Sequence, residues 1–138
     1  MAISNYEIEQ ALVKAYLDLT LGYPTEYPNH TLAEKPDDLW VALDNMRGET
    51  QPTTLGEAGE DLHSGIFQIS LNTAIGKGTA IIHRALDEIA NHFPAGTRLV
   101  FGNSTVVIMS ATLDDGRAVE GYWRVSLSLS YECRQPRI

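Results

Sequence analysis

The last third of the chain contains the pattern that most constrains the fold, a nearly unbroken alternation of apolar and polar residues. The apolar positions are Trp123, Val125, Leu127, Leu129, Tyr131 and Cys133, and the polar positions between them are Arg124, Ser126, Ser128, Ser130 and Glu132. Because successive side chains of a strand point to opposite faces, this pattern predicts one strand with a buried face and a face in water. Such a strand belongs in an antiparallel sheet that is covered on one side.

Other segments show the same period of two. Gly65, Phe67, Ile69 and Leu71 are predicted to point inward, and Ser64, Gln68, Ser70 and Asn72 are predicted to face water. Leu39, Val41 and Leu43 are predicted to point to one face of a strand, and Trp40, Ala42, Asp44 and Met46 are predicted to point to the other. Further strands are predicted over Leu99–Phe101 and Thr105–Leu113, followed by a turn at residues 114–116. Residues 49–61 contain Pro52, Gly56, Gly59 and four acids, which indicates a hairpin tip or a mobile arm.

Two stretches have helical periodicity. The first stripe consists of Ile8, Ala11, Leu12, Ala15, Tyr16 and Leu19, and the second consists of Ile82, Ala85, Leu86, Ile89 and Phe93. Ser4 and Glu7 have the spacing of a capping box before the first helix, and Gly22 with Pro24 is predicted to end it. Thr79 is a candidate N-cap of the second helix, which is predicted to end at Pro94 and Gly96.

The order of these elements predicts the fold class. A helix, two or three strands, a second helix and about three more strands fit an α+β fold, a mainly antiparallel sheet with two helices packed on one face. The length of 138 residues suits one domain that spans residues 1–138.

Composition excludes several classes of function. The net charge of −8 argues against affinity for nucleic acid or for an anionic membrane surface. No apolar run reaches the roughly twenty residues that span a bilayer, and residues 1–10 carry no basic region of a signal peptide. A single cysteine, Cys133, cannot form a disulfide within the chain, which indicates folding in a reducing cytosol.

The residues that could act in catalysis or in metal or phosphate binding have simpler structural explanations. The loop Gly76-Lys77-Gly78-Thr79 is too short to wrap a phosphate, and His83 and His92 are too far apart on their helix to share a metal ion. Cys133 is predicted to be a core residue. The acid pairs Asp37-Asp38 and Asp114-Asp115 lie beside turns, where turn chemistry accounts for them. We therefore expect no enzyme activity, no metal and no cofactor.

Some strand positions are apolar on the face that should be polar. They are Leu39 with Trp40, Ile66, and the run Val106, Val107, Ile108 and Met109. A strand that is apolar on both faces needs cover from both directions. That cover comes either from a packed loop of the chain or from a neighbouring copy.

The arm contributes a further hypothesis about assembly. Its acids Glu57, Glu60 and Asp61 form a loose patch, for which a solvated loop is a simpler explanation than a cation site. Pairing of this patch with Arg134 and Arg137 of a neighbour would give a head-to-tail ring. The candidate residues for subunit or tube contacts are Trp40, Met46, Arg47, Glu57, Glu60, Asp61, Ile66, Arg134 and Arg137.

A series of stretches along almost the whole chain resembles the tail-terminator and minor-tail-protein family of long-tailed bacteriophages. After the N-terminal helix, the series comprises Tyr27-Pro28-Asn29, the strand Leu39–Leu43, the strand Ser64–Leu71, Gly76-Lys77-Gly78, the helix end His92-Phe93-Pro94 and the strand Gly121–Tyr131. No single motif is specific, and the order and spacing carry the match.

The resemblance implies a structural virion protein of the phage tail or neck, assembled in the bacterial cytoplasm. Family members form hexameric rings that cap the finished tail tube, and the implied partners are sister subunits, the tail tube protein and a head-completion or connector protein. The family supplies no catalytic residues. Two alternatives remain: another phage neck or tail-completion protein, and a small-ligand-binding α+β domain.

Overall fold

A computed structural model describes residues 5–32, 34, 38–76 and 78–137 of the chain. About 50% of the chain is strand, and two helices interrupt the strands. In chain order the elements are α1 (Asn5–Leu17), β1 (Thr25–Glu26), β2 (Trp40–Pro52), β3 (Glu60–Ala74), α2 (Ala80–Ala90), β4 (Arg98–Phe101), β5 (Ser104–Leu113), β6 (Arg117–Val119) and β7 (Tyr122–Pro136).

These strands form one curled sheet in the order β1-β2-β3-β7-β5-β4, with β6 paired to β7. The long strand β7 lies at its centre and pairs with β3 on one side and with β5 and β6 on the other. Every ladder is antiparallel except the short parallel pair of β1 and β2. The prediction of a mainly antiparallel α+β fold is confirmed.

The alternating positions of the strands build one face of the core. We call this face, which carries Phe67, Ile69 and Leu71, the inner face, and the opposite one the outer face. All three side chains are completely buried, and they belong to the same apolar cluster as the helix residues that the sequence selects. From the helices the cluster includes Ile8, Ala11, Leu12, Tyr16, Ile82, Ala85, Leu86 and Ile89.

The first helix ends earlier than predicted. It stops at Leu17, and the following amides of Leu19 and Thr20 bond to carbonyls three residues back, at 3.1 and 3.0 Å. Thr20 has a φ of 51°, which takes the chain out of the helical conformation before Gly22 is reached.

The predicted helix caps differ from the observed contacts. Glu7 accepts hydrogen bonds from Ser104 Oγ at 2.8 Å and from the Asn103 amide at 3.3 Å, and so it joins α1 to the β4–β5 hairpin. Ser4, its predicted capping partner, lies outside the described residues. Thr79 occupies the N-cap position of α2 without a side-chain cap bond, and Phe93 is buried just beyond the end of the helix.

One end of the outer face is buried, which corrects the prediction that Ser70, Asn72 and Ser126 face water. Asn72 is 0% exposed and Ser126 1%. The hydroxyls of Ser70 and Ser126 bond to each other at 2.8 Å, and Arg124 Nε donates to Asn72 Oδ1 at 2.7 Å. These hydrogen bonds pair polar groups whose burial without a partner would destabilise the fold.

Trp40 belongs to the same closed end. It is 1% exposed and meets the ring of Tyr122 edge-on, with the ring centroids 5.4 Å apart. Leu39 and Trp40 are therefore covered within the chain, as one of the two explanations for apolar outer positions requires.

The sequence does not predict β1 and β6. Each has at most three residues and so cannot display an alternating pattern. They form through pairing with long strands, which is a tertiary contact.

A close approach at Gly65 explains why a glycine stands on the inner face. The ring of Tyr131 crosses over it, and the Tyr131 hydroxyl donates to Asn45 Oδ1 at 2.7 Å. A Cβ at Gly65 would lie 2.6 Å from that hydroxyl oxygen and 2.7 Å from the Met46 carbonyl oxygen. Burial raises the pKa of the Tyr131 phenol, and the Asn45 hydrogen bond opposes that rise.

We predict that Gly65→Ala lowers the free energy of unfolding by about 1–3 kcal/mol, because the added methyl overpacks this crossing. Chemical denaturation of the purified protein would measure the loss. Gly48→Ala on the neighbouring strand is the matched control, since its Cβ would lie 3.1 Å from the nearest atom, the Ser64 carbonyl oxygen. An equal loss in the two variants would contradict the explanation.

Candidate interaction surface

The outer face of the sheet is open at the end away from Trp40. Met46 and Ile66 are cross-strand partners there and are 42% and 39% exposed. Met109, at the bulge of β5, is 47% exposed, and Val107 is half-buried. Two pairs of exposed or half-buried apolar side chains, Met46 with Ile66 and Val107 with Met109, thus lie on this face on either side of the polar β7 residues Ser130 and Glu132. Exposed apolar surface bordered by polar residues is typical of interaction sites.

A shallow hollow of about 360 Å³ lies on this face beside β4, β5 and β7. Val107 and Met109 contribute its apolar part. Its polar lining comes from Arg98, Asn103, Thr105, Glu132 and Arg134. Arg98 is exposed and forms no ion pair with another described residue.

The predicted hairpin tip is present but shorter than residues 49–61, because residues 49–52 belong to β2 and residues 60–61 to β3. We call residues 53–59, which connect β2 to β3, the arm tip. The Thr53 amide bonds to the Glu60 carbonyl at 2.9 Å, and the Gly59 amide bonds to the Gly56 carbonyl at 3.1 Å. Leu55 projects from the tip with 90% of its surface exposed.

Arg137, which follows β7, holds the arm tip in place. Its guanidinium donates to the carbonyl oxygens of Thr54 at 2.5 Å and of Gly56 at 2.6 Å, and to Asp61 Oδ1 at 2.5 Å. Its amide bonds to the Gly59 carbonyl at 2.9 Å. A side chain at residue 59 would collide with the guanidinium, so glycine permits this approach.

These contacts correct the hypothesis that Arg134 and Arg137 pair with the arm of a neighbour. The antiparallel ladder of β3 and β7 brings Glu60 opposite Pro136, so both arginines lie beside the arm of their own chain. Arg137 binds Asp61, and Arg134 Nη1 lies 3.5 Å from Glu60 Oε2.

The structure divides the remaining interface candidates. Met46, Arg47, Glu57 and Ile66 are exposed and stay candidates. Trp40 does not, because its side chain is buried within the chain. Sequence reasoning did not propose Leu55 and Arg98 as interface candidates. It noted Met109 as an apolar residue that needs cover but did not include it among the candidates. Leu55 was detectable as a large apolar residue among the polar residues and glycines of the tip, whereas Arg98 depends on the strand order.

The residues that could act in catalysis or metal binding have structural roles. Cys133 is a buried free thiol, and burial raises its pKa from 9.0 to about 11. Asp114 accepts the amides of Gly116 and Ser126, each at 3.0 Å, as turn chemistry predicts. His63 Nδ1 lies 3.1 Å from the Thr50 hydroxyl. The described residues contain no group of three or more His, Cys, Asp or Glu side chains placed to hold a metal ion. Lys77 lies outside the described residues.

Comparison with known proteins gives the family. The model of the phage tail terminator protein family matches residues 7–131. This chain belongs to that family, and its role is therefore structural, in a phage tail. A search of curated proteins found no match.

Solved structures share the fold. Thirteen chains match, and one of them has 18% sequence identity and a TM-score of 0.77 over 96% of this chain and 96% of its own. In the part of the chain that the structure describes, neither helix is long and apolar enough to cross a membrane.

We predict that Cys133 reacts slowly with thiol reagents in the native protein. With a pKa of about 11 instead of 9.0, the thiolate fraction at pH 8 falls by roughly 100-fold. The rate should rise about tenfold per pH unit from pH 7 to 10, because only the thiolate reacts. Dithionitrobenzoate labelling measures it, with the guanidinium-unfolded protein as control. Equal rates in both states would contradict a buried thiol.

We predict that Arg137→Ala loosens the arm tip and lowers stability by roughly 1–3 kcal/mol, because it leaves Asp61 and the tip carbonyls without their donor. Cleavage after the exposed Glu57 by a Glu-specific protease should become faster. Gly59→Ala, which displaces the guanidinium but keeps the charge, should act in the same direction.

Arg117→Ala is the matched control for this prediction, because its ion pair with Asp114, at 3.5 Å, is exposed. That variant should lose less than about 0.5 kcal/mol and should leave the cleavage rate unchanged. Unchanged cleavage in Arg137→Ala would show that Arg137 does not hold the tip.

Proposed function

We propose that this protein is a tail terminator that assembles into a hexameric ring, caps the tail tube and supports the joining of head and tail. The observation that carries the proposal is the uncovered apolar end of the outer face in a member of the tail terminator family. The partners that we propose are sister subunits, the tail tube protein and a head-completion or connector protein.

The distribution of burial supports assembly through the outer face. We take both helices to lie on the inner face, because their buried side chains share one cluster with Phe67, Ile69 and Leu71. No described element then covers Met46, Ile66 and Met109. Burying such side chains stabilises an association by about 25 cal/mol per Å² of apolar surface, before the entropy of association is subtracted.

The edges of the sheet offer a second route to contact. On the side away from β3, β2 pairs with the described residues of β1 only at Val41 and Ala42. The rest of this long strand is therefore an edge of the sheet. At the opposite edge lies β4, where Val100 is 65% exposed. An edge strand offers unpaired backbone groups to another chain. Two different edges suit a head-to-tail contact, which gives a ring when the rotation between neighbours closes.

The conditions of assembly follow from the cysteine. Cys133 is a free thiol, and the described fold contains no disulfide, so a reducing compartment leaves it intact. We propose that folding and assembly occur in the cytoplasm of the bacterial host.

Native mass spectrometry over a range of concentrations would test for the ring, and electron microscopy would test for it at the ends of tail tubes. We expect six copies, and tubes that stop growing when the protein is added to polymerising tube protein. A monomer at high concentration that neither binds tubes nor limits their length would refute the proposal. Localisation at the head side of the neck, away from the tube end, would favour a neck protein instead.

We predict that the double substitution Met46→Glu with Ile66→Glu weakens ring or tube binding by at least about tenfold, because it places two charges on a surface that becomes buried. Ile81→Glu is the control: Ile81 is 61% exposed on α2, away from the outer face. Circular dichroism would verify folding of each variant. Unchanged assembly in the double variant would remove this surface from the interface.

A further inference from the structure

We propose that the arm tip of one copy docks into the hollow of the next copy, with Leu55 on Val107 and Met109 and with Glu57 facing Arg98. The inference rests on the proposed ring and names the contact that closes it. It replaces the pairing of the arm with Arg134 and Arg137, which the structure places within one chain.

The arm tip has the properties of a preformed anchor. Leu55 is 90% exposed, although it stands on a loop whose carbonyls are held by the Arg137 guanidinium. A side chain presented on an ordered loop loses less entropy on binding than one on a mobile loop. A leucine that projects into water from an ordered loop is available as an anchor for a partner.

The hollow suits such an anchor. Its volume of about 360 Å³ exceeds that of a leucine side chain, and Val107 and Met109 supply its apolar surface. Asn103 and Thr105 lie beside them and offer polar groups for the backbone of a loop.

Charge selects the orientation. On the tip, the positive charge of Arg137 is matched by Asp61, which leaves Glu57 exposed. In the hollow, Arg134 is matched by Glu60, whereas Arg98 on β4 and Glu132 on β7 have no ion pair with a described residue. We therefore place Glu57 of the tip at the β4 side of the hollow, where it meets Arg98 and lies away from Glu132.

The geometry of the sheet makes the contact one between copies. The arm tip continues β2 and β3, whereas the apolar part of the hollow, Val107 and Met109, lies on β5, two strands away from β3. Only Arg134, at the rim of the hollow, approaches the base of the arm, where it meets Glu60. Arg137 ties the tip to its own side, and the exposure of Leu55 shows that the hollow of the same chain does not hold it. Different patches on each copy give a head-to-tail contact, as a ring needs.

Charge reversal in single and mixed variants tests the contact. We expect Glu57→Arg and Arg98→Glu each to raise the protein concentration for half-maximal ring formation by at least about tenfold, because each places like charges opposite one another. The double variant should return to within about threefold of the unsubstituted protein. Leu55→Ser should weaken assembly at least as much as either reversal.

A one-to-one mixture of the Glu57→Arg and Arg98→Glu proteins gives the sharpest result. In a ring of alternating variants, every arm meets a hollow of opposite charge, so the mixture should assemble where each variant alone does not. Native mass spectrometry would show equal numbers of the two proteins in each ring. Rings of a single variant, or no recovery in the mixture and in the double variant, would overturn the contact.

Controls separate this inference from the proposed function. Ile81→Ser and Glu88→Arg change exposed residues of α2 and should leave assembly unchanged. Rings that form normally in Leu55→Ser and in both reversals would overturn the contact and leave the ring standing. Intact rings with lost tube binding would assign the arm tip to the tube protein instead. Absence of rings in the unsubstituted protein, alone and on tubes, would refute both.

Discussion

The fold depends on the ladder between β3 and β7, which joins fifteen residues of each strand without a break in register. Both strands send apolar side chains to the inner face, and Phe67 and Leu129 are opposite one another there and completely buried. The remaining long strands attach to this pair, β2 to β3 and β5 to β7. The same ladder brings Arg137 next to the arm tip. The core and the candidate contact surface therefore both depend on the pairing of β3 with β7.

The two ends of the outer face differ, and this difference connects fold to role. At one end Trp40 and a network of buried polar side chains close the surface within the chain. At the other end Met46, Ile66 and Met109 remain exposed. Apolar side chains that a sheet face leaves in water gain free energy when a neighbour covers them. That combination suits a structural protein of the phage tail, the role that the family implies.

Sequence patterns predicted the regions where local spacing and burial agree. The apolar positions of β7 and most of the two helical stripes were right, because a long segment buried on one side repeats its constraint many times; Leu19 and Phe93 lie just beyond the helix ends. The prediction that Ser70 and Asn72 face water was wrong. A polar residue on a strand needs a hydrogen-bond partner, but that partner can be another buried side chain, and here Ser126 and Arg124 supply it. For the site, Met46 and Ile66 were predicted from the sequence, whereas Arg98 was not, since its neighbours lie far away in the chain.

The sequence by itself determined the helices, the long strands, the hairpin at the arm and the family of this protein. Each of these depends on residues that are close together in the chain or on the order of segments along it. Only the tertiary structure decided which apolar residues stay exposed and which charges are already paired. Trp40 and Met46 look alike in the alternation of β2, yet one is 1% and the other 42% exposed. The physical reason is that cover and ion pairing come from strands distant in sequence, which the sheet order brings together.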